Sequence, residues 1–511
     1  MRPSPPRWPI LCLLAVAACS PSLGGDGPVA ADVATARETL PPVTAIPGPT
    51  TTTSLPPVTT TVPPTTTTTV PPGGVGASYG TVEGLTMFRG NPSRTWYGEG
   101  PIPDSLAVRW RFPAEPMCGN SPVGGEDKFW CGTGWTGQPV VWERPDGVTE
   151  IIFGAYDKSI HFLDAATGEP TRPAFSMGDI IKGSVTLDPY GHPLLYAGSR
   201  DPNFRIIALD RAEPTELWRL DAASVDGMWN DDWDSNPVVV DGMLYVGGEN
   251  SWWFAIELNR GTDGDGLVTV EPEVVFSMPA FTDELLAAVG RQQSVESSTA
   301  VFEDRAYFAN SAGRVVGVDI GALPDGDAAV VFDYWMGDDV DATIVIDGAG
   351  DLYVAAQVDL QTARAGEVGQ LVKLDPDNPD DPRVWGLEVP AGGVDGGIWA
   401  TPALVGNMLF VPTNVGELLA VDTATGEVVW RDDVGLHAWS SAVHAGDRLL
   451  VSTDCDSEAA LRIYDVSDPR APVRLSDNVF AGGCIEATPA VWKGGVYVGS
   501  RDGFFYGLEA G

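Results

Sequence analysis

Four carboxylates, one lysine and two tryptophans recur at one place in a short repeated tetrad. The tetrad occurs eight times: Thr136-Gly-Gln-Pro139, Lys182-Gly-Ser-Val185, Asp234-Ser-Asn-Pro237, Glu296-Ser-Ser-Thr299, Asp341-Ala-Thr-Ile344, Trp399-Ala-Thr-Pro402, Trp439-Ser-Ser-Ala442 and Glu486-Ala-Thr-Pro489. If the eight first residues meet, Asp234, Glu296, Asp341 and Glu486 raise one another's pKa unless a cation joins them. Lys182 would stand beside them. Trp399 and Trp439 would add a flat wall suited to a cation or a cationic organic molecule. The stretch Trp229-Asn-Asp-Asp-Trp233 offers more of both chemistries. The competing reading of the same residues is a solvated acidic funnel with its tryptophans packed between elements.

Other reactive constellations are sparse. Asp263-Gly-Asp-Gly266 resembles part of a calcium loop, but in the register of a helix-loop-helix calcium site Gly261 and Pro272 would fall on the first and last ligand positions. Asp375-Pro-Asp-Asn-Pro-Asp-Asp-Pro382 is the second acidic loop. Turn chemistry is the default for both, and calcium is the one metal they suggest. The four histidines, at 161, 192, 437 and 444, form no readable zinc cluster. No Cys-x-x-Cys-His motif, Gly-rich phosphate loop or serine nucleophile elbow is present. The sequence therefore leans away from an enzyme. The formal net charge is −40. Residues 1–72 sum to zero, so the excess lies on 73–511. That field repels nucleic acid and anionic lipid and attracts basic partners or cations.

The tetrads are spaced 40 to 62 residues apart, about one four-stranded blade each. An apolar strand follows each tetrad, as in Leu244-Tyr-Val-Gly247 and Val496-Tyr-Val-Gly499. A third strand closes on an acid that opens a turn, as in Asp422-Thr-Ala-Thr-Gly-Glu427. A fourth commonly carries an aromatic residue: Trp218, Phe276, Trp385, Trp430. No long helix is expected. The last repeat has strands at 485–491, 495–500 and 503–508 and then ends. Its fourth strand is expected from Leu106-Ala-Val-Arg-Trp-Arg-Phe112, with Trp110 in the place of Trp430. The expectation is all-β: an eight-bladed β-propeller over 81–511, monomeric, with the N-terminal strand closing the last blade.

The chain begins with Arg2 and Arg7 before an apolar run, Ile10 to Ala18, too short to span a bilayer and suited to a secretory signal. Val16-Ala-Ala-Cys19 resembles a bacterial lipobox, which makes 1–19 a signal peptide and Cys19 the lipidated residue. An ordinary signal peptide cut nearby is the alternative. Residues 20–80 read as a disordered tether. From Pro41 to Pro72, 13 residues are Thr and 10 are Pro. A polyproline-like spacer of that length reaches on the order of 100 Å. Export places Cys118, Cys131, Cys455 and Cys484 in an oxidising compartment. Of three connectivities, 118–131 and 455–484 are expected. The first pair shares one loop. In the second, the end of blade seven's second strand meets the start of blade eight's first on one face.

The run Ala400-Thr-Pro-Ala-Leu through Val411 to Gly-Glu-Leu-Leu-Ala-Val-Asp-Thr-Ala-Thr-Gly-Glu-Val-Val-Trp430 resembles the repeat of the PQQ-like, or quinoprotein-type, β-propeller family. Met87-Phe-Arg-Gly-Asn-Pro-Ser-Arg-Thr95 is similar to the lead-in of such propellers, and the resemblance spans roughly 85 to 510. Dehydrogenases of this family set a vicinal Cys pair against the quinone. This chain has no adjacent cysteines, so PQQ and other cofactors are not expected, with Ca²⁺ kept as a candidate ion. In anchor and blade plan the chain also resembles the propeller lipoprotein of the outer-membrane barrel assembly machinery. The tether and the acidity depart from it. The resemblance implies a lipid-anchored, extracytoplasmic, non-catalytic binding or scaffold module of the cell envelope. Its partners would be envelope proteins or a small ligand, and it would touch the membrane only through its lipid. The alternatives are a binder of a cation or cationic small molecule at the channel mouth and, third, a quinone-dependent dehydrogenase.

Overall fold

Eight antiparallel sheets, each built on four strands, form the blades of a β-propeller. The computed structural model describes residues 74–123, 125–135, 137–323, 328–389, 396–435, 437–453 and 459–511. Blade 3 shows the plan: Val238–Val240, Met243–Gly247, Trp252–Glu257 and Glu273–Pro279 pair in chain order. Second strands such as Met243–Gly247 and Leu352–Ala355 are buried along their whole length. They carry continuous apolar runs because a blade packs neighbours on both faces. Leu194, Tyr196, Phe204 and Ile206 of blade 2, for example, meet Val239, Leu244, Val246 and Phe254 of blade 3 in one buried cluster.

Blade 8 is closed by the N-terminal strand, as expected. Leu106–Phe112 pairs antiparallel with Phe505–Ala510, from Leu106↔Ala510 to Phe112↔Phe505. Trp110 stands opposite Gly507, as Trp430 stands opposite Ala420. In both pairings the register slips by one residue beside the tryptophan. Trp110 also crosses to blade 1, donating Nε1–H to the Ala165 carbonyl at 3.0 Å. Trp385 does the same to Thr423 of blade 6, also at 3.0 Å. The turn beneath each ring needs glycine: a Cβ on Gly168 or Gly426, both at positive φ, would come within 2.6–2.7 Å of the indole.

A closed belt of hydrogen bonds encircles the axis through the third residue of each tetrad. Gln138 N–H donates to Ser184 Oγ at 2.8 Å. Ser184 N–H donates to Asn236 Oδ1. The circuit continues from Asn236 to Ser298 Oγ (3.1 Å), Ser298 to Thr343 Oγ1 (3.2 Å), Thr343 to Thr401 Oγ1 (3.0 Å) and Thr401 to Ser441 Oγ (3.0 Å). Ser441 N–H then donates to Thr488 Oγ1 (3.3 Å), and Thr488 N–H returns to the Gly137 carbonyl at 3.0 Å.

Below the belt, residues 84–99 fill the axis and touch all eight blades. Arg89 and Arg94 are fully buried there. Arg89 donates to the carbonyls of Pro402 (2.6 Å) and Ala442 (3.1 Å), and its guanidinium lies 4.3 Å from the Tyr97 ring centre. Arg94 donates to Thr299 and Asn236 carbonyls. Leu187, Val301 and Ile346 donate backbone N–H groups to Thr86, Pro92 and Ser93. Gly84–Leu85 pairs with blade 1 and Gly98–Glu99 with blade 8. Burial and the nearby Arg89 push the Arg94 pKa down to about 9.

Cys118 and Cys131 form a disulfide. Cys484 is also disulfide-bonded. Cys455, its expected partner, lies outside the described residues, as do Cys19 and Thr136.

Two substitutions test this framework. Trp110→Ala should cost about 3–5 kcal/mol in chemical denaturation, with faster hydrogen exchange in both blade 8 and the 164–169 turn. Thr401→Val keeps the side-chain shape but orphans the Thr343 N–H, and should cost about 1–3 kcal/mol. A neutral result for Thr401→Val would show that the belt does not bear on stability.

Candidate functional site

Each inner strand runs from the tetrad's first residue, past the belt, to the plug, so the first residues share the end of the channel opposite the plug. Second strands run back, and the residues just after them reach the same end. Heads and returning residues therefore meet. Gln357 donates to Asp341 Oδ2. Arg501 pairs with Glu486 at 2.8 Å. Asp234 lies beside Glu249, and single carboxylate oxygens of Asp234, Glu249 and Glu296 fall within 4.8 Å of one another. Lys182 Nζ contacts Asp234 and lies 3.6 Å from Glu249 Oε1. Arg200, after the second strand of blade 2, holds Asp232 at 2.5 Å.

The tryptophans occupy the other side. Trp399 and Trp439 stack with ring centres 4.9 Å apart and planes 10° apart. Trp135 meets Trp399 edge-on at 5.9 Å, and its ring centre is 5.8 Å from Lys182 Nζ. Trp135 thus links the acidic half of the mouth to the aromatic half. Trp439 donates to Asn414 Oδ1 at 2.5 Å.

Of the residues singled out in the sequence, Lys182, Asp234 and Glu296 come together. Asp341 couples electrostatically to Glu296 and Lys182. Glu486 stands apart, with Arg501 as its charge partner, and Arg501 in turn lies between Trp130 (5.0 Å) and Tyr156 (4.9 Å). Glu249, Asp339 and Arg501 were not singled out. Glu249 and Arg501 follow second strands, so the chain-direction rule applied to Cys455 would have found them.

Burial is the chief perturbation of these groups. It pushes Glu249 well above the usual carboxyl range, helped by Glu296 and Asp234. It does the same to Asp339, beside Asp341, and to Asp341, beside Glu296. Glu296 is raised by burial and by Asp234 against the pull of Lys182. Asp232 is pushed up to about 6 by burial, with Arg200 opposing. Burial works against Asp234 as well, but the Lys182 ammonium outweighs it and holds that carboxyl below its ordinary value.

The acidic loops have internal employment. Asp263 Oδ1 accepts from the N–H groups of Asp265 and Leu267, both at 2.9 Å, and Asp375 Oδ1 accepts from Asp377 N–H at 3.0 Å. Asp377 pairs with Arg305 at 2.6 Å.

The fold is that of an eight-bladed β-propeller. Residues 367–499 match the PQQ_2 family model, described as outer membrane protein assembly factor BamB. No curated protein matches the chain. Among solved structures, the quinohemoprotein alcohol dehydrogenase from Comamonas testosteroni is similar at 14% identity over 83% of this chain and 80% of that one, TM-score 0.52. Saccharomyces cerevisiae Sqt1 is similar at 11% identity over 74% of this chain and 96% of that one, TM-score 0.54. BamB from Moraxella catarrhalis gives 11% identity, 84% and 100% coverage and a TM-score of 0.41. The chain is an eight-bladed β-propeller, and its residues 367–499 are similar to the PQQ-like repeat family.

The raised carboxyls give the mouth a definite pH response. A folded pKa above the unfolded value means a contribution fully present below about pH 4 and lost as pH rises through the folded pKa. In chelator, the melting temperature should therefore fall as pH rises from about 4 through about 6, the window that Asp232 sets, and go on falling above it as the more strongly raised Glu249, Asp339 and Asp341 ionise. Glu249→Gln imitates the protonated side chain and should raise the melting temperature at pH 8 by about 2 °C or more. Exposed Glu284→Gln is the control for general charge repulsion. Equal curves for the two variants would contradict the assignment.

Proposed function

We propose that this chain is an exported, lipid-anchored propeller of the cell envelope. It acts as a non-catalytic binding module and engages positively charged partners through the acidic, tryptophan-lined mouth. One observation carries the reading: the segment 84–99 fills one end of the channel, and the tetrad heads at the other end bring a buried carboxylate cluster and a stacked tryptophan pair. Such a mouth suits an ammonium or guanidinium group presented by a protein segment or a small molecule. The net charge of −40 draws such partners in. The match of 367–499 to an assembly-factor family supports a protein partner.

Anchoring rests on Val16-Ala-Ala-Cys19, which lies outside the described residues. The described chain enters on the plugged side, where Thr81 N–H bonds to the Pro189 carbonyl in a turn of blade 2.

Photo-crosslinking in intact cells, from a probe placed at Trp229 near the mouth, tests the reading. Wild-type protein should capture envelope partners in a salt-sensitive way. Trp399→Ala with Trp439→Ala should lose them while melting cooperatively, and Cys19→Ser should lose palmitate incorporation. Unchanged capture by the tryptophan variant would sink the binding role, and persistent palmitate labelling would sink the anchor.

A further inference from the structure

We propose that a cavity on the plugged face of blade 3 binds a small zwitterion with an aliphatic body, an apolar amino acid or its dipeptide. The site is separate from the mouth and does not rest on the reading of it. First and third strands run toward the plug, so the turns that follow them open on that face. The cavity there has a volume of about 370 Å³, at the small end of the about 300–1,000 Å³ usual for small-molecule pockets. Three neighbouring blades wall it. Blade 2 brings His192, the turn after Val238–Val240 brings Asp241 and Gly242, and Leu323 follows the third strand of blade 4. Blade 3 also carries an extra hairpin, Arg260–Thr262 paired with Val268–Val270, between its third and fourth strands. This insertion holds the Asp263-Gly-Asp-Gly266 turn, and Asn259 and Arg260 at its base line the cavity.

The charged groups are held in place and kept apart. Arg260 is pinned from behind by Asp188, which also accepts from the Tyr196 hydroxyl at 2.7 Å. Among the described residues Asp188 alone accepts a hydrogen bond from it. A Cβ built on Gly242 would stand 3.6 Å from Arg260 Nη2, which places that edge of the guanidinium beside the cavity wall that Gly242 forms. Asp241 is fixed as well. Its N–H donates to Tyr190 Oη at 2.8 Å, and that hydroxyl meets Tyr79 Oη at 2.5 Å. Glu257, paired with Met243 across the strands, lines the same cavity. Among the described residues no ion pair joins Arg260 to Asp241 or Glu257. Opposite charges in one cavity that do not reach each other are each left for a ligand's own opposite charge.

The remaining lining supplies the body of the ligand. Met243 and Leu323 are buried and Val275 is half-buried, so the cavity has an aliphatic wall. Burial lowers the His192 pKa, which leaves the imidazole neutral at pH 7 and Arg260 as the cation among the lining residues. A ligand carboxylate therefore goes to Arg260, its ammonium to Asp241 and Glu257, and its side chain to the aliphatic wall. A simple anion would meet two carboxylates, and a simple cation would meet the guanidinium. A purely apolar molecule would strip water from all three charges.

The test is calorimetric titration of the full-length protein in detergent with L-leucine and glycyl-L-leucine. At least one should bind saturably, with half-saturation below about 1 mM. Leucinamide lacks the carboxylate and 4-methylpentanoate lacks the ammonium, and each should bind about tenfold or more weakly. Arg260→Met should abolish the response. Because Arg260 also holds Asp188, a second variant keeps the test decisive if that one folds poorly. Asp241→Asn with Glu257→Gln should weaken the zwitterion about fivefold or more while 4-methylpentanoate binds no worse than before. Exposed Glu284→Gln should change neither. No saturable response to either zwitterion by about 10 mM, equal binding of leucinamide or 4-methylpentanoate, or wild-type affinity in the double variant would overturn the proposal. Saturable binding of maltose in place of leucine would overturn it too, in favour of a sugar site.

Discussion

The belt of backbone-to-side-chain hydrogen bonds is the constraint from which the rest of the molecule follows. Blades 1 to 7 each give one N–H to a short polar side chain of the next, and blade 8 closes the circuit on the Gly137 carbonyl. This requires Ser, Asn or Thr at the third tetrad position of blades 2 to 8, whereas in blade 1 the Gly137 carbonyl accepts and the Gln138 side chain turns to Arg89 and Pro489. It also requires a small residue at the second, where a Cβ on Gly183 would stand 2.4 Å from the Asp234 carbonyl. Inner strands held this closely bring their first residues together whatever those residues are. The crowding of like charges at the mouth is thus imposed by the ring, and the acids are tolerated because Lys182, Arg200 and raised pKa values reduce the charge.

The two ends of the channel solve opposite problems. At the plug, two guanidiniums are buried without carboxylates and satisfied by main-chain carbonyls of blades 3, 4, 6 and 7. At the mouth, carboxylates outnumber cations. The belt lies between these layers, so the opposite charges cannot neutralise one another by direct contact. The axis is therefore polarised, and the mouth keeps an excess negative charge that a single neutral core would have removed.

The fold was legible because the tetrad repeats and because each strand's aromatic residue or acid has a fixed station. Even the strand swap at blade 8 could be read, since Trp110 occupies the same station as Trp430. The site was legible only in part. Tetrad heads reveal one half of the mouth, whereas Glu249 and Arg501 arrive on returning strands whose sequences carry no repeated signal. Glu486 looks equivalent to Glu296 in sequence, and only Arg501 sets it apart. The lead-in Met87–Thr95 could be recognised as a motif. Its task could not, because the carbonyls that receive its arginines lie up to 353 residues away.

The plug also decides how the molecule responds to force. A load applied at residue 74 meets segment 84–99 before it reaches the closing strand. To yield, it must draw Arg89 and Arg94 out of carbonyl cages and break strand pairings in blades 1 and 8 together. Tension is then shared among blades in parallel, where a simple closing strand could be peeled one hydrogen bond at a time.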